Sequence, residues 1–210
     1  MIRIWVIENH ETIILSGLKQ LFRPGRDQIS FIGSSVSTAR ALEDADPSTF
    51  DLIWLDLWIP NENPLLNVIA LQEKFPGKPI LVYTSEESPV WMKKMAKAGV
   101  NGYLIKEAPR SEISDAIQYV FTGKTWFPML PPEEFAAATS QEEESTEQKL
   151  NAVQRKMLCY LTDGKSIKAT AELMGLKPNQ VEKTLVRLRK QYNVGNNLAL
   201  VKVLTEKGLI

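Results

Sequence analysis

Apolar and polar positions over residues 1–122 follow two alternating periods. Short apolar runs stand at 2–7 (IRIWVI), 29–33, 51–55 (DLIWL), 79–84 (PILVYT) and 101–105. Runs this short, rich in bulky residues and bounded by turn signals, predict buried strands of a parallel sheet. Between them, apolar residues recur at helical spacing. One such stretch follows residue 10 and places Ile13, Ile14, Leu18 and Leu21 on one face. Others are predicted over 37–45, opened by Ser37 or Thr38, over 65–75, ended by Pro76-Gly77, and over 89–98, stopped by Gly99. A last one covers 110–122, with Ile113, Ile117, Val120 and Phe121 facing inward. Five strands alternating with five helices predict an α/β fold, a doubly wound five-stranded parallel sheet.

The pattern changes after that. Residues 128–148 carry three prolines and then an acidic, Ser/Thr-rich run, which reads as a linker, with 133–138 able to add a helical turn. Four helical patterns follow, over 150–161, 166–174, 178–192 and 197–207. The second opens at Ser166 and closes at Gly175; the third starts at Pro178, which suits a first helical turn, and carries Val181, Leu185, Leu188 and Tyr192 as its apolar stripe. The short GLK turn between them is that of a helix-turn-helix. The domains expected are therefore 1–125, a linker over 126–147, and a small all-α unit over 148–210.

Composition adds two points. The net charge is zero, yet residues 1–146 hold 13 Lys/Arg against 20 Asp/Glu and residues 147–210 hold 12 against 5. A basic C-terminal unit attached to an acidic one points to nucleic-acid binding, unless the two halves differ by chance. The third helix of that unit carries Lys183, Arg187, Arg189 and Lys190 off its apolar stripe. These residues form either a DNA-reading face or the solvated side of an amphipathic helix. The chain has no apolar run long enough for a membrane span, no secretory leader, one Cys (Cys159) and one His (His10), which fits a reducing cytoplasm and excludes an intramolecular disulfide.

Candidate chemistry lies where an open α/β sheet presents it, beyond the carboxyl ends of the strands. The polar residues there are Glu8 and Asn9, Asp56, Thr84 and Ser85, and Lys106. Oxygen ligands suit a hard cation such as Mg²⁺, and a hydroxyl with an ammonium suits phosphoryl oxygens, so Asp56 is placed to form an acyl phosphate. No Gly-rich phosphate loop is present, which disfavours nucleotide binding. His10 reads as a loop or cap residue.

The elements IENH, DLIWLDLWIP, ILVYTS and GYLIK, in that order, resemble the receiver domain of two-component response regulators of the NarL/FixJ arrangement, a flavodoxin-like fold. The resemblance implies that Asp56 is the phospho-acceptor, that Glu8, Asn9 and Asp56 hold Mg²⁺, that Thr84 and Tyr103 are switch residues and that Lys106 pairs with the phosphoryl group. It also implies a sensor histidine kinase as partner and a homodimer. Two residues depart from the pattern: Asn9 stands where a second acid is usual, and Pro64 where a glycine is usual. Pro64 cannot take a positive φ, so the loop after Asp56 is expected to follow another path. Trp58, two residues past Asp56, is placed to shield it from water, so labelling is expected to be slow or the acyl phosphate long-lived.

Residues 148–210 resemble the LuxR-type helix-turn-helix output domain through the GKS start, the LMGL turn, the V-x-x-x-L recognition-helix pattern, V-x-N and the terminal GLI. The resemblance implies promoter DNA as partner and Lys177, Gln180, Lys183, Thr184, Arg187 and Lys190 as its contacts. Glu182 and Thr184 replace the usual Lys and His of the recognition helix, and LNAVQ replaces the usual L-T-x-R-E opening, which implies an unusual target. The reading is a response regulator transcription factor rather than an enzyme. The alternative is a pseudo-receiver, an interaction scaffold not controlled by phosphorylation.

Overall fold

The computed structural model describes residues 1–139, 150–207 and 209–210. The chain divides into two compact units, 1–139 and 140–210. In the first, strands β1 (Ile2–Ile7), β2 (Ile29–Ser35), β3 (Leu52–Leu55), β4 (Ile80–Thr84) and β5 (Gly102–Ile105) form one parallel sheet in the order β2-β1-β3-β4-β5. The predicted doubly wound sheet is therefore the fold of this unit. Helices α1 (Glu11–Leu21), α3 (Thr38–Asp44), α4 (Pro64–Lys74), α5 (Pro89–Lys97) and α6 (Arg110–Phe121) occupy the predicted positions, and a short α2 (Pro24–Asp27) precedes β2.

Strand alternation builds the core. Ile4 and Val6, Leu52 and Trp54, Leu81 and Tyr83, and Leu104 point to one face, where Leu18, Ile113, Ala116, Ile117 and Val120 cover them. The intervening residues Ile53, Leu55, Ile80 and Val82 belong to the other face and are equally buried. Both faces being covered explains why β3 and β4 read as continuous apolar runs. Helix α1 differs from expectation: only Leu18 is buried, with Ile14 and Leu15 packed against the core, while Ile13 is 74% exposed. Ile13, five residues before Leu18, lies well around the helix from it, so the sheet takes the face centred on Leu18; Leu21, also expected inward, is exposed. Phe121 likewise points outward at the end of α6.

Residues 126–139, expected as the start of a linker, are instead packed on this unit. Trp126 bridges Gly102 in the parallel sense, and helix α7 (Pro132–Thr139) follows. The rest of the expected linker, 140–147, lies outside the described residues apart from its place in the sequence.

In the second unit, α8 (Ala152–Thr162), α9 (Ile167–Leu173), α10 (Pro178–Gln191) and α11 (Asn197–Glu206) enclose a core of Leu150, Met157, Leu158, Val181, Leu185, Leu188, Leu200 and Leu204. Val153, expected in the α8 stripe, is exposed. Gly175 closes α9 at φ +65°, a left-handed conformation that only glycine adopts without cost. Leu176 then turns back, its N–H donating to the Ala171 carbonyl at 2.8 Å, and α10 begins at Pro178.

The close approach of β5 to its neighbours depends on Gly102. A Cβ there would lie 2.6 Å from Leu81 Cδ1, 2.9 Å from Val120 Cγ2 and 3.3 Å from Trp126 Cβ. Gly102→Ala is expected to cost about 1–3 kcal/mol by overpacking, read as a lower denaturant midpoint for the sheet unit.

Candidate functional site

Strand order reverses between β1 and β3, and the crevice of an open sheet lies at that switch point, beyond the strand carboxyl ends. Glu8 follows β1 and Asp56 follows β3; both side chains are buried, and Lys106 follows β5. The main chain fixes the positions of all three. Asp56 N–H donates to the Ile7 carbonyl at 2.8 Å, Glu8 N–H to Ser35 at 3.0 Å and Lys106 N–H to Thr84 at 2.9 Å. Lys106 Nζ then reaches Glu8 Oε2 at 2.8 Å and Asp56 Oδ2 at 3.2 Å. Glu8 Oε1 also accepts the His10 N–H at 3.3 Å, and Asp56 Oδ1 accepts the Trp58 N–H at 3.4 Å. Asn9 lies in the turn beside Glu8, half-buried. His10 is the N-cap residue of α1, as expected of it.

Two carboxylates share one ammonium, so the site keeps an excess negative charge. At an effective dielectric of about 20, unit charges about 3 Å apart interact by about 5 kcal/mol, comparable to the desolvation cost of burying them. Each contact with Lys106 therefore roughly offsets burial, and the repulsion between Glu8 and Asp56 remains. Burial pushes the Asp56 carboxyl above its ordinary range; the Glu8 charge adds to this, and Lys106 opposes it without cancelling it. Burial works against the Lys106 charge, but the Glu8 hydrogen bond and the Asp56 charge hold its titration above the ordinary lysine value. A divalent cation bound by oxygen would balance the surplus, so the donor set fits Mg²⁺. Among the described residues no group of three His, Cys, Asp or Glu side chains is arranged to hold a metal, so a third protein ligand would be a neutral oxygen such as that of Asn9.

Thr84 ends β4, and Tyr103 is the second residue of β5. Thr84 is buried and its Oγ1 accepts the Glu86 N–H at 3.2 Å. Tyr103 is buried, and its hydroxyl donates to the Glu86 carbonyl at 2.7 Å. Burial, then the Glu86 and Asp56 charges, push the Tyr103 phenol well up, so it remains a donor. The structure thus brings Glu8, Asp56 and Lys106 into direct contact, and joins Thr84 to Tyr103 through the turn at Glu86.

The loop after Asp56 resolves the Pro64 departure. Asn61 takes the left-handed conformation at φ +62°. Asn63 caps α4, its Oδ1 accepting the Leu65 and Leu66 N–H groups at 3.0 and 3.3 Å, and Pro64 occupies the first helical turn. Glu62 reaches across to the start of α3, accepting from Thr38 at 3.1 Å and Ala39 at 3.3 Å. Trp58 is half-exposed and packs edge-on against Trp91 of α5, ring centroids 4.9 Å apart.

Sequence reasoning missed Tyr83. Its hydroxyl donates to the Lys106 carbonyl at 3.0 Å, its ring centre lies 6.0 Å from Lys106 Nζ, and Trp54 packs on it at 4.5 Å. Lys106 is thus held through its N–H by Thr84 and through its carbonyl by Tyr83. The available signal was a hydroxyl inside an otherwise apolar central strand, which requires a partner.

In the second unit, Lys177, Gln180, Lys183, Arg187 and Lys190 are exposed and Thr184 is half-buried; Lys183, Arg187 and Lys190 lie on the α10 side away from Val181, Leu185 and Leu188, whereas Thr184 borders that apolar stripe. Two of them already serve the helix: Gln180 Oε1 accepts the Lys177 N–H at 2.8 Å, and the Thr184 hydroxyl donates to the Gln180 carbonyl at 2.9 Å. Arg189 does not join this face; its Nη1 donates to Asn197 Oδ1 of α11 at 3.0 Å. Glu182 is exposed.

This arrangement defines a class: a doubly wound sheet with an acid–lysine site at its switch point, followed by a helical unit. Residues 4–118 match the response regulator receiver domain, and the chain belongs to that family. It is similar along its length to the transcriptional regulatory protein DesR of Bacillus subtilis (strain 168), 25% identical over 208 residues covering 99% of this chain and 98% of that one. The oxygen regulatory protein NreC of Staphylococcus carnosus is 22% identical, covering 98% of each. Among solved structures, RcsB of Salmonella enterica serovar Typhimurium, bound to a promoter with a phosphomimetic, shares the fold at a TM-score of 0.57 and 13% identity over 97% of this chain and 98% of that one. Among the described residues, no helix is long and apolar enough to cross a membrane.

Two variants test the electrostatics of the site in metal-free buffer. Because the folded chain holds the Asp56 proton more tightly than the unfolded chain, stability falls as pH rises from 3.8 through the raised value. Asp56→Asn is therefore expected to raise the melting midpoint at pH 7 by a few degrees, a gain that disappears below the ordinary carboxylate range. Lys106→Ala, which leaves both buried acids uncompensated, is expected to cost about 3 kcal/mol.

Proposed function

We propose that this response regulator is switched by phosphorylation of Asp56 and acts as a transcription factor. The observation that carries the reading is the buried Asp56 carboxylate, held at the switch point by Lys106 beside Glu8. In the step proposed, an Asp56 carboxylate oxygen attacks the phosphorus of a phosphohistidine on a sensor histidine kinase. The P–O bond forms, the P–N bond breaks, and the imidazole leaves with the electron pair. Lys106 pairs with a phosphoryl oxygen and the Thr84 hydroxyl donates to another. Glu8, Asn9 and Asp56 would hold Mg²⁺, and the ion would neutralise charge on the transferring group. Each chain is modified once, so the protein is a regulator rather than an enzyme.

The receiver is proposed to span 1–125 with the strap 126–139 packed on it, and the DNA-binding helix-turn-helix 148–210. The helix-turn-helix of α9 and α10 supports promoter DNA as the second partner, because α10 presents Lys183, Arg187 and Lys190 at i, i+4 and i+7, on one face. Gln180 stands at the N-terminal end of that face, Lys177 is the N-cap residue before it, and Thr184 lies at its edge. RcsB, which shares the fold, binds promoter DNA in the presence of a phosphomimetic. A homodimer reading two half-sites in the cytoplasm completes the reading. The pseudo-receiver alternative draws on one observation, Asn9 in place of an acid, which leaves two carboxylates for the metal.

Incubation with phosphoramidate and Mg²⁺ is expected to add one phosphoryl group to the intact chain and none to Asp56→Ala. No labelling of the wild type would favour the pseudo-receiver. Tyr83→Phe keeps the ring but frees the Lys106 carbonyl, and is expected to slow labelling by about tenfold, but to have no such effect in a Lys106→Ala background. In mobility shifts, binding is expected to weaken with salt, and Arg187→Ala to lower affinity and flatten the salt slope by about one.

A further inference from the structure

The basic residues of α10 account for attraction to DNA but not for a choice among sequences, since contacts to phosphates carry no sequence information. Two other residues of the same helix have no role in its packing. Val186 is 54% exposed, and Glu182 is exposed one turn before it, while Val181, Leu185 and Leu188 form the buried stripe.

On a helix surface the neighbours of a residue are those three and four positions away. For Val186 these are Glu182, Lys183, Arg189 and Lys190, all charged. Arg189 is turned towards Asn197 of α11. No apolar side chain of α10 therefore covers Val186, and a β-branched residue is a poorer helix former than the lysines and arginines around it. For Glu182 the neighbours are Pro178, Asn179, Leu185 and Val186, none of them basic. Its charge is not neutralised along its own helix, and beside phosphates it would be repelled.

The floor of the major groove offers each residue what α10 does not. The 5-methyl group of thymine is the apolar group that base edges present there. The donors are the amino groups of cytosine and adenine. The adenine amino group lies beside the N7 acceptor, which repels a carboxylate; the cytosine edge presents the amino group without an acceptor. An ionised Glu, which only accepts, is thus matched to cytosine. Four residues of helix rise about 6 Å, close to two base-pair steps of about 3.4 Å.

We propose that Glu182 and Val186 are the base-reading pair of α10. Val186 packs on a thymine methyl group, and Glu182 accepts from a cytosine amino group within about two base pairs of it. Lys183, Arg187 and Lys190 hold the phosphates alongside. Base reading by this pair rests on the reading of α10 as a DNA-facing helix, and adds which bases that helix selects: a half-site carrying both pyrimidines.

The test uses the full chain, with beryllofluoride and Mg²⁺ present and absent, to select from a pool of random-sequence DNA duplexes. Retained duplexes are expected to be enriched in a thymine and a cytosine at that spacing. Exchanging this thymine for uracil removes only the methyl group. It is expected to weaken binding of the wild type about fourfold, the scale of one buried methylene, whereas Val186→Ala is expected to bind both duplexes alike. Glu182→Gln is expected to move the preference at the cytosine position towards adenine, whose edge a carboxamide matches, and Glu182→Ala to lose the preference. A merely structural role for either residue would change affinity for all duplexes equally. A uracil exchange that costs the wild type nothing, or costs Val186→Ala as much, overturns the Val186 contact. A cytosine preference unchanged in both Glu182 variants overturns the Glu182 contact. Retention without such enrichment overturns both contacts and leaves DNA binding standing. No retention in either condition overturns the DNA reading and the base reading together.

Discussion

Everything at the carboxyl end of this sheet depends on one ammonium placed between two buried carboxylates. Glu8 and Asp56 are brought together because β1 and β3 are neighbours at the point where strand order reverses. Without Lys106 both acids would be buried uncompensated; with it, the site remains one negative charge in excess. In the proposed function, that surplus is what would receive a hard cation and, with it, an incoming phosphoryl group. The raised Asp56 carboxyl is the thermodynamic expression of the same imbalance.

The surroundings of Lys106 show how much structure is spent on one side chain. Its N–H is fixed by Thr84 and its carbonyl by Tyr83, consecutive residues of β4. Tyr83 is braced in turn by Trp54, two residues before Asp56. The strand that leads to Asp56 and the turn that carries the lysine are therefore supported by the same aromatic pair, on the face of the sheet away from the α4 and α5 side. On the other side, the loop after Asp56 is held by Asn61, Asn63 and Glu62, none of which belongs to the chemistry. A proline at position 64 is compatible because the left-handed residue is moved to Asn61. Trp58 leaves this loop to pack on Trp91, joining the loop after Asp56 to α5.

The strap past β5 alters how the two halves of the chain relate in sequence. Three prolines and an acidic run suggest a connector, and 126–139 is instead part of the sheet unit. The reason lies in Gly102, whose missing side chain lets Trp126 approach β5, and in Tyr103 and Phe127, which stack only because that approach is close. Composition describes residues one at a time and does not register such a contact.

Much of this protein is legible in one dimension. Period-two runs, helical spacing, caps and stops place the five strands and the main helices, because each of these signals is local. The polar residues at the strand ends, Glu8, Asp56, Thr84 and Lys106, are likewise visible as acids, a hydroxyl and an amine where apolar runs stop. Which face of α1 turns inward was not legible, since Ile13 and Leu18 both satisfy a helical stripe and only the sheet selects between them. Nor was the role of Tyr83, the diversion of Arg189 to Asn197, or the docking of α7, because each depends on a partner in another element. The sequence by itself determined which residues carry charge and where strands and helices form; the tertiary structure alone decided which charges share an ammonium and which rings meet, because burial and partnership are set by neighbours that sequence order does not specify.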